Sequence, residues 1–122
     1  AGNSVHAVTD VTGYGLAGHG WEVAQRSGVR LIVDTSALEM YPGALRIAED
    51  GVRTGGDPRN REYVDGHVEM TADDARVAIC YDPQTSGGLL AAVEPDLADD
   101  LVGRGFWRVG EVEAGVAGIV LA

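Results

Sequence analysis

The chain has 122 residues, of which 45% are hydrophobic and 23% are charged, a length and composition that predict one globular domain with its own core. The formal net charge is −10, and all nine basic residues are arginines. Because nucleic acids and anionic membranes are bound through clustered positive charge, this balance argues against both kinds of partner. Any chemistry that requires a lysine must draw it from another chain or segment.

The sequence carries no apolar run of membrane-spanning length and no signal-peptide pattern, so we expect a cytoplasmic protein. The single cysteine, Cys80, cannot form an internal disulfide and lies in an apolar stretch, where cysteine usually behaves as a small hydrophobe. The chain begins with Ala1 and not with Met, and we therefore expect a fragment or a processed piece.

The apolar pattern predicts strands and helices that largely alternate, which indicates a mixed sheet with helices packed on it. The small apolar residues of the first strand indicate burial on both of its faces. The predicted elements are a strand over 5–9, a helix over 14–26, a strand over 29–33, helices over 42–50 and 72–80, a strand over 89–93, a helix from 95 to about 103, and strands over 106–112 and 116–121.

Local signals predict where the helices end and which faces they bury. Gly28 is a typical stop for the first helix, and Thr71 is a typical N-cap for the helix over 72–80. Gly18 and Gly20 each cost the first helix about 1 kcal/mol relative to alanine, so we expect close packing at these positions. The apolar stripe of the helix over 42–50 is predicted to comprise Leu38, Tyr41, Leu45 and Ala48.

Residues 53–70 are polar and rich in glycine. This composition predicts a long connection in which 55–60 form an ordered loop, and such loops often carry function. Arg59 and Asn60 either contact a phosphate or organise that loop, and the sequence does not decide between the two.

The first motif is the run 9–15, Thr-Asp-Val-Thr-Gly-Tyr-Gly. Asp10 ends a predicted strand and precedes a glycine-rich helix start. A carboxylate there could hold a magnesium ion that bridges to phosphate. Alternatively, Asp10 could be a helix N-cap or an Asx-turn residue, with Thr9 and Thr12 satisfying nearby backbone groups.

Residues 13–18 also match the glycine pattern of dinucleotide-binding proteins, with Asp34 at the end of the next strand. Three residues separate the strand from Gly13, and Asp10 would repel a pyrophosphate. The remaining elements do not supply a full doubly wound sheet. We therefore do not favour this alternative.

The second motif is the run 82–90, Asp-Pro-Gln-Thr-Ser-Gly-Gly-Leu-Leu. Pro83 restricts the backbone after Asp82, and two hydroxyl residues and two glycines follow before the next strand. Such a run can cradle an anion. It can also be a tight turn from helix to strand without a ligand.

The two motifs, together with Gly18-His19 and Arg59-Asn60, resemble in order and spacing the C-terminal half of selenophosphate synthetases, also called selenide, water dikinases. The resemblance covers nearly the whole chain. The first motif is shared in looser form with the wider aminoimidazole ribonucleotide synthetase superfamily, whereas the second is more particular.

The resemblance implies an ATP-dependent phosphotransferase that makes selenophosphate from selenide, ATP and water and releases AMP and phosphate. It implies Mg²⁺ as cofactor and ATP as substrate, with Asp10 as a metal ligand. The reactive cysteine or selenocysteine and the nearby lysine belong to an N-terminal domain that this chain lacks, so we expect no catalytic residue here and no activity of the chain alone. The expected nucleotide-binding or metal-binding residues are Thr9, Asp10, Thr12, Gly13, Asn60, Asp82, Thr85, Ser86, Gly87 and Gly88.

The resemblance also implies an α+β fold, a mixed β-sheet layered with helices and distantly like a ferredoxin arrangement. Residues 1–122 would form most of the C-terminal domain of a longer enzyme, without its first strand and helix. The expected partner is the missing N-terminal domain. One sheet edge or face would be exposed, and the resemblance leaves homodimer formation by this chain open, since full-length relatives dimerise largely through the N-terminal domain.

Two other functions stay open from the sequence. A sibling enzyme of purine or thiamine biosynthesis would share the first motif but would not need the second, and a non-catalytic nucleotide-binding module could have lost the catalytic half.

His19 is expected to be a packing or hydrogen-bonding residue, and Trp21 and Trp107 are expected to pack in the core or at an edge.

Overall fold

The structure is a computed structural model that describes residues 5–84 and 88–122. Within these ranges the fold is α+β, as predicted. The strands are β1 (Val5–Asp10), β2 (Arg30–Val33), β3 (Val68–Met70), β4 (Leu89–Val93), β5 (Gly110–Glu113) and β6 (Gly118–Leu121). The helices are α1 (Gly15–Ser27), α2 (Ala44–Glu49), α3 (Asp57–Tyr63), α4 (Asp74–Tyr81) and α5 (Pro95–Val102), with a short 3₁₀ helix at Thr35–Ala37.

Four strands form a mixed sheet in the order β3, β6, β2, β5. Strand β6 runs parallel to both β2 and β3, whereas β5 pairs antiparallel with β2. All four residues of β6 are buried, with Ile119 1% and Leu121 0% exposed. A central strand that is covered on both faces reads as a continuous apolar run, and β6 therefore anchors the core.

Helices α1 and α4 contact each other, and α1 also contacts β6. Close packing at two glycines of α1 is confirmed. A Cβ atom on Gly20 would lie 2.9 Å from Ile119 Cδ1, and one on Gly18 would lie 2.6 Å from Tyr14 Cβ. The helix ends at Gly28, whose φ of 65° is left-handed, as the sequence predicts. No helix in the described part of the chain combines the length and apolarity needed to cross a membrane.

Strands β1 and β4 form a separate two-stranded antiparallel ribbon. The prediction that β1 is buried on both faces is wrong, since Val5 is 42% and Val8 is 54% exposed. Helix α1 contacts β1. The ribbon is nevertheless less covered than β6, whose four residues are all buried. In the described ranges each ribbon strand pairs only with the other, so each has an open edge.

The prediction that residues 53–70 form a long loop is also wrong, because α3 and β3 lie within this segment. Pro58 occupies the first turn of α3, where its missing N–H costs no hydrogen bond. Asp57 accepts a hydrogen bond from Arg61, one turn later, at 2.8 Å. The β3 segment is too short to stand out as a pattern and becomes a strand by pairing with β6.

Three smaller predictions need correction. Helix α4 is capped by Asp73, which accepts from Arg76 N at 3.0 Å, and not by Thr71. Tyr41 is 85% exposed and belongs to no buried stripe, because α2 begins only at Ala44. The last two strands begin at Gly110 and Gly118, later than expected, and β2 lies between them.

Candidate functional site

The fold brings the two sequence motifs together at one end of the ribbon. Asp10 is paired with Leu89 in the ladder between β1 and β4. Beyond the ladder, Val11 N donates to Gly88 O at 2.9 Å, and Gln84 N donates to Thr12 O at 3.0 Å. The motifs, distant in sequence, are therefore joined through their backbones. Thr85, Ser86 and Gly87, which we expect to bind the nucleotide, lie outside the described residues.

The turn before α1 requires a glycine at position 15. Gly15 N donates to Thr12 O at 2.9 Å, and its φ of +74° is left-handed. A Cβ atom there would lie 2.8 Å from Cys80 O and 3.0 Å from Asp82 O. The backbone of the first motif thus approaches the end of α4 so closely that no side chain fits between them.

Asn60 ties this junction to α3. Its side chain is 1% exposed, and Nδ2 donates to Gly13 O and to Tyr81 O, each at 2.9 Å. Gly56, at the start of α3, also packs against Pro83, since a Cβ atom on it would lie 2.7 Å from Pro83 Cγ. These contacts favour the organising role for Asn60, because both protons of its amide nitrogen serve carbonyl groups of the chain.

Asp10 lies exposed at the end of β1, and no described residue hydrogen-bonds or pairs with its carboxylate. It does not cap α1, because the N-cap residue is Tyr14 and the helix has no side-chain cap. The N-cap alternative for Asp10 is therefore wrong. A solvent-facing carboxylate fits the way Mg²⁺ is commonly held, by one or two carboxylates with water and phosphate in the other positions. Residues 5–84 and 88–122 contain no cluster of three His, Cys, Asp or Glu side chains suited to a metal.

A shallow concavity of about 500 Å³ opens beside the turn, lined by Thr12, Gly13, Tyr14, His19, Arg59 and Asn60. The Tyr14 ring stacks on Tyr63 with 4.4 Å between ring centroids. Arg59 is exposed, and no described residue pairs with its guanidinium group. By contrast, Arg30, Arg53 and Arg61 form ion pairs in the described part of the chain. Arg59 is therefore a cation available to a ligand in this concavity.

His19 connects the concavity with α1. Its Nε2 lies 2.9 Å from Thr12 Oγ1, and its Nδ1 lies 3.0 Å from Glu22 Oε1. This confirms the predicted hydrogen-bonding role of His19. Glu22 was not identified from the sequence; the spacing of three residues between His19 and Glu22, which places them on one face of a helix, is the signal that could have found it.

Asp82, in the described part of the second motif, has a carboxyl group with a raised pKa. Burial raises the pKa of the Asp82 carboxyl above its usual value of 3.8, and the charge of Asp57 adds to the increase, while a hydrogen bond from Gln84 opposes it. Gln84 Nε2 lies 3.1 Å from Asp82 Oδ2. The carboxyl of Asp82 is thus held by its own turn.

Cys80, two residues earlier, is fully buried, and burial raises the pKa of its thiol to about 12. A buried thiol of this kind is not a nucleophile at neutral pH. Cys80 is therefore not a candidate nucleophile of this site.

The sheet topology excludes the dinucleotide-binding alternative. That fingerprint requires the strands on either side of the first helix to lie parallel in one sheet. Here β1 belongs to the ribbon and β2 to the four-stranded sheet. The glycines of residues 13–18 instead serve a tight turn and close helix packing.

Residues 1–122 match the family described as AIR synthase related protein, C-terminal domain. The chain is 42% identical over 118 residues to a selenide, water dikinase of Pseudomonas straminea, covering 95% of this chain and 33% of the relative. It is 40% identical over 126 residues to that of Nitratidesulfovibrio vulgaris strain DP4, covering 94% and 36%. The chain therefore spans about a third of the length of these curated relatives.

Among solved structures, the fold is similar to thiamine-monophosphate kinase from Stenotrophomonas maltophilia, with a TM-score of 0.58 and 21% identity over 96% of this chain and 31% of that one. It is also similar to AaThiL complexed with AMPPCP and TMP, with a TM-score of 0.52 and 18% identity over 96% of this chain and 30% of that one. At these identities the similarity establishes the fold.

Proposed function

Because this chain belongs to the family of AIR synthase related proteins, C-terminal domain, we propose that it is the C-terminal domain of a selenophosphate synthetase. The complete enzyme would make selenophosphate from selenide, ATP and water and release AMP and phosphate. The observation that carries the proposal is the junction of the two motifs, with Val11 bonded to Gly88 and Gln84 bonded to Thr12, in a chain about 40% identical to selenide, water dikinases.

Asp10 is the residue that we expect to ligate Mg²⁺. It ends the ribbon, its carboxylate is exposed, and it stands beside the turn that Thr12, Gly13 and Gly15 form. The metal, when bound, offsets the negative charge of the nucleotide phosphates, which would allow a domain of net charge −10 to serve an ATP-dependent enzyme. Thr9 and the residues of the second motif, including Asp82 and Gly88, remain expected nucleotide contacts.

Arg59 is the chain's own candidate for a phosphate contact. It lines the concavity together with Thr12 and Gly13, and a guanidinium group can bind two phosphate oxygens at once. Its neighbour Asn60 already donates to two carbonyl groups. We therefore assign the phosphate contact to Arg59 and the structural role to Asn60.

The remaining ligands and the reactive groups would come from the rest of the protein. The open ribbon is the surface we assign to this contact, because Val5, Val8 and Leu89 are 42%, 54% and 56% exposed and lie on the strands that carry Asp10. An exposed apolar patch beside a functional edge is typical of an interaction surface. We place the enzyme in the cytoplasm and leave homodimer formation to the complete protein.

The experiment is an assay of the complete protein that contains this chain, measuring Mg²⁺-dependent AMP formation from ATP with and without selenide. Asp10→Asn should lower the selenide-dependent rate by about 100-fold or more, since it removes a metal ligand. Asp50→Asn is the matched control, because Asp50 is an exposed aspartate outside the site, and its rate should equal that of the parent.

Other outcomes decide between the alternatives. Phosphorylation of a thiamine or purine precursor without selenide dependence would indicate a sibling enzyme, and nucleotide binding without turnover would indicate a binding module. An unchanged rate in Asp10→Asn would remove Asp10 from the metal site.

Arg59→Ala should raise the KM for ATP about 10-fold if its charged hydrogen bonds to phosphate are lost.

A further inference from the structure

Tyr81, the last residue of α4, directly precedes the second motif, and helix α3 contacts it at two points. Asn60 Nδ2 donates to its carbonyl oxygen at 2.9 Å. The guanidinium group of Arg61 lies over its ring, with Cζ 4.6 Å from the ring centroid. Tyr81 is 2% exposed, and its hydroxyl donates to Met70 Sδ of β3 at 3.6 Å. The backbone and the side chain of Tyr81 are thus both held before the chain enters the motif.

A third contact from the α3 region lies on the other side of Asp82. Gly56, which precedes α3, packs so closely against Pro83 that a Cβ atom on it would lie 2.7 Å from Pro83 Cγ. Asp82 has φ −67° and ψ 124°, the extended conformation to which a following proline restricts a residue. The α3 region therefore contacts the residues on both sides of Asp82 and leaves its backbone little freedom.

Asp57 holds Arg61 in place. Its Oδ1 accepts a hydrogen bond from Arg61 Nε at 2.8 Å, and the side chains of Asp57 and Arg61 are 9% and 30% exposed. Asp100 and Arg104 on α5 have the same spacing of four residues, but their side chains are 57% and 72% exposed. An exposed pair of this kind contributes little, whereas a shielded carboxylate fixes the direction of a planar guanidinium group.

We propose that Arg61 and Asp57 are positioning residues for the second motif. Their ion pair holds the guanidinium group on the Tyr81 ring, and the ring fixes the start of the motif. The motif then meets the first one through the hydrogen bond from Gln84 N to Thr12 O.

The two residues act through Tyr81 and not on a ligand. Among the described residues, those that line the concavity include neither Arg61 nor Asp57. Their effect on nucleotide binding rests on the proposed function, in which the second motif binds the nucleotide. Their effect on the junction of the two motifs does not rest on it.

The first test is hydrogen exchange of the complete protein, resolved to single amides by mass spectrometry. The variant combines Asp57→Asn with Arg61→Met, since Arg61→Met alone would leave a largely buried carboxylate unpaired and destabilise the whole domain. The Gln84 amide should exchange about 10-fold faster, because a lost cation–π contact makes local opening easier. The Ala122 amide, which donates to Val33 O in the sheet, should exchange at the parent rate.

An unchanged exchange rate at Gln84 would overturn the proposal. Equal acceleration at Gln84 and Ala122 would also overturn it, because the pair would then support the whole domain and not the motif. The matched control combines Asp100→Asn with Arg104→Met, which removes the exposed pair of α5 in the same way. It should leave Gln84 at the parent rate, and a similar acceleration there would show a general effect of charge and overturn the proposal.

A second measurement applies the same variants to the assay of AMP formation. The combined Asp57→Asn and Arg61→Met variant should raise the KM for ATP by about 3- to 10-fold and leave kcat within about 2-fold, since Arg61 touches no reacting group. Arg61→Lys, which keeps a cation beside Asp57 and the ring, should restore part of the loss.

An unchanged KM in a selenide-dependent enzyme would overturn the proposal. A complete protein without selenide-dependent AMP formation would contradict the proposed function and leave the hydrogen-exchange result standing.

Discussion

The four-stranded sheet and the β1–β4 ribbon differ in how far the chain itself covers them. Every residue of β6 is buried, whereas no residue of β1 or β4 falls in the buried class. Both motifs nevertheless adjoin the ribbon, through Asp10 and Leu89. The comparison indicates that the sheet supplies the stability of the domain, while the candidate site is built on the strands that the domain covers least.

The largest expected effect is a direct contrast between the two regions. Leu121→Ala, at a 0% exposed position of β6, should lower the free energy of unfolding by about 2 to 5 kcal/mol. Val8→Ala, on the ribbon, should change it by no more than about 0.5 kcal/mol. Urea unfolding followed by circular dichroism measures both. Equal losses would contradict the view that stability resides in the sheet.

The next effect concerns the turn that joins the regions. Gly15→Ala places a Cβ atom 2.8 Å from Cys80 O, whereas Gly28→Ala meets no atom within 4 Å. Both glycines have a left-handed backbone, which costs alanine about 1 kcal/mol. Gly15→Ala should therefore lose at least about 1 kcal/mol more than Gly28→Ala in the same unfolding experiment. Similar losses would mean that the turn can move away from α4.

The next effect concerns Asn60, which joins α3 to the first motif and to the end of α4. Asn60→Ala leaves Gly13 O and Tyr81 O without their shared donor, so the free energy of unfolding should fall by about 1 to 3 kcal/mol. Arg59→Ala, one residue earlier and exposed, should leave it within about 0.5 kcal/mol. If Arg59→Ala proved the more destabilising variant, the roles assigned to the two residues would be exchanged.

The smallest effect is the pH dependence at Asp82. Because the pKa of its carboxyl is raised in the folded chain, ionisation costs more there than in the unfolded chain. Stability is lost as the pH rises from about 3.8 through the raised pKa, and the loss stays constant above it. Asp82→Asn should therefore be more stable than the parent at pH 7, by less than about 1 kcal/mol, and equal to it at pH 3. A difference that grows on acidification would show the opposite shift.

Much of the fold could be read from local patterns. The helix over 15–27 and its stop at Gly28 follow from apolar spacing and from the backbone freedom of glycine. The segment 53–70 could not be read in this way, since β3 has only three residues and exists through its pairing with β6. The burial of β1 was misjudged because small apolar residues do not reveal which face another element covers.

The candidate site, like the fold, was predictable from the sequence only in part. The sequence alone determined the two motifs, the carboxylate at Asp10 and the close packing expected at Gly18 and Gly20, because these depend on residue chemistry and helix propensity. Only the tertiary structure decided that the motifs meet, that Asn60 serves backbone carbonyls while Arg59 lines a concavity, and that His19 lies between Thr12 and Glu22. Those relations depend on hydrogen bonds and close approaches between segments far apart in the chain, which residue spacing does not encode.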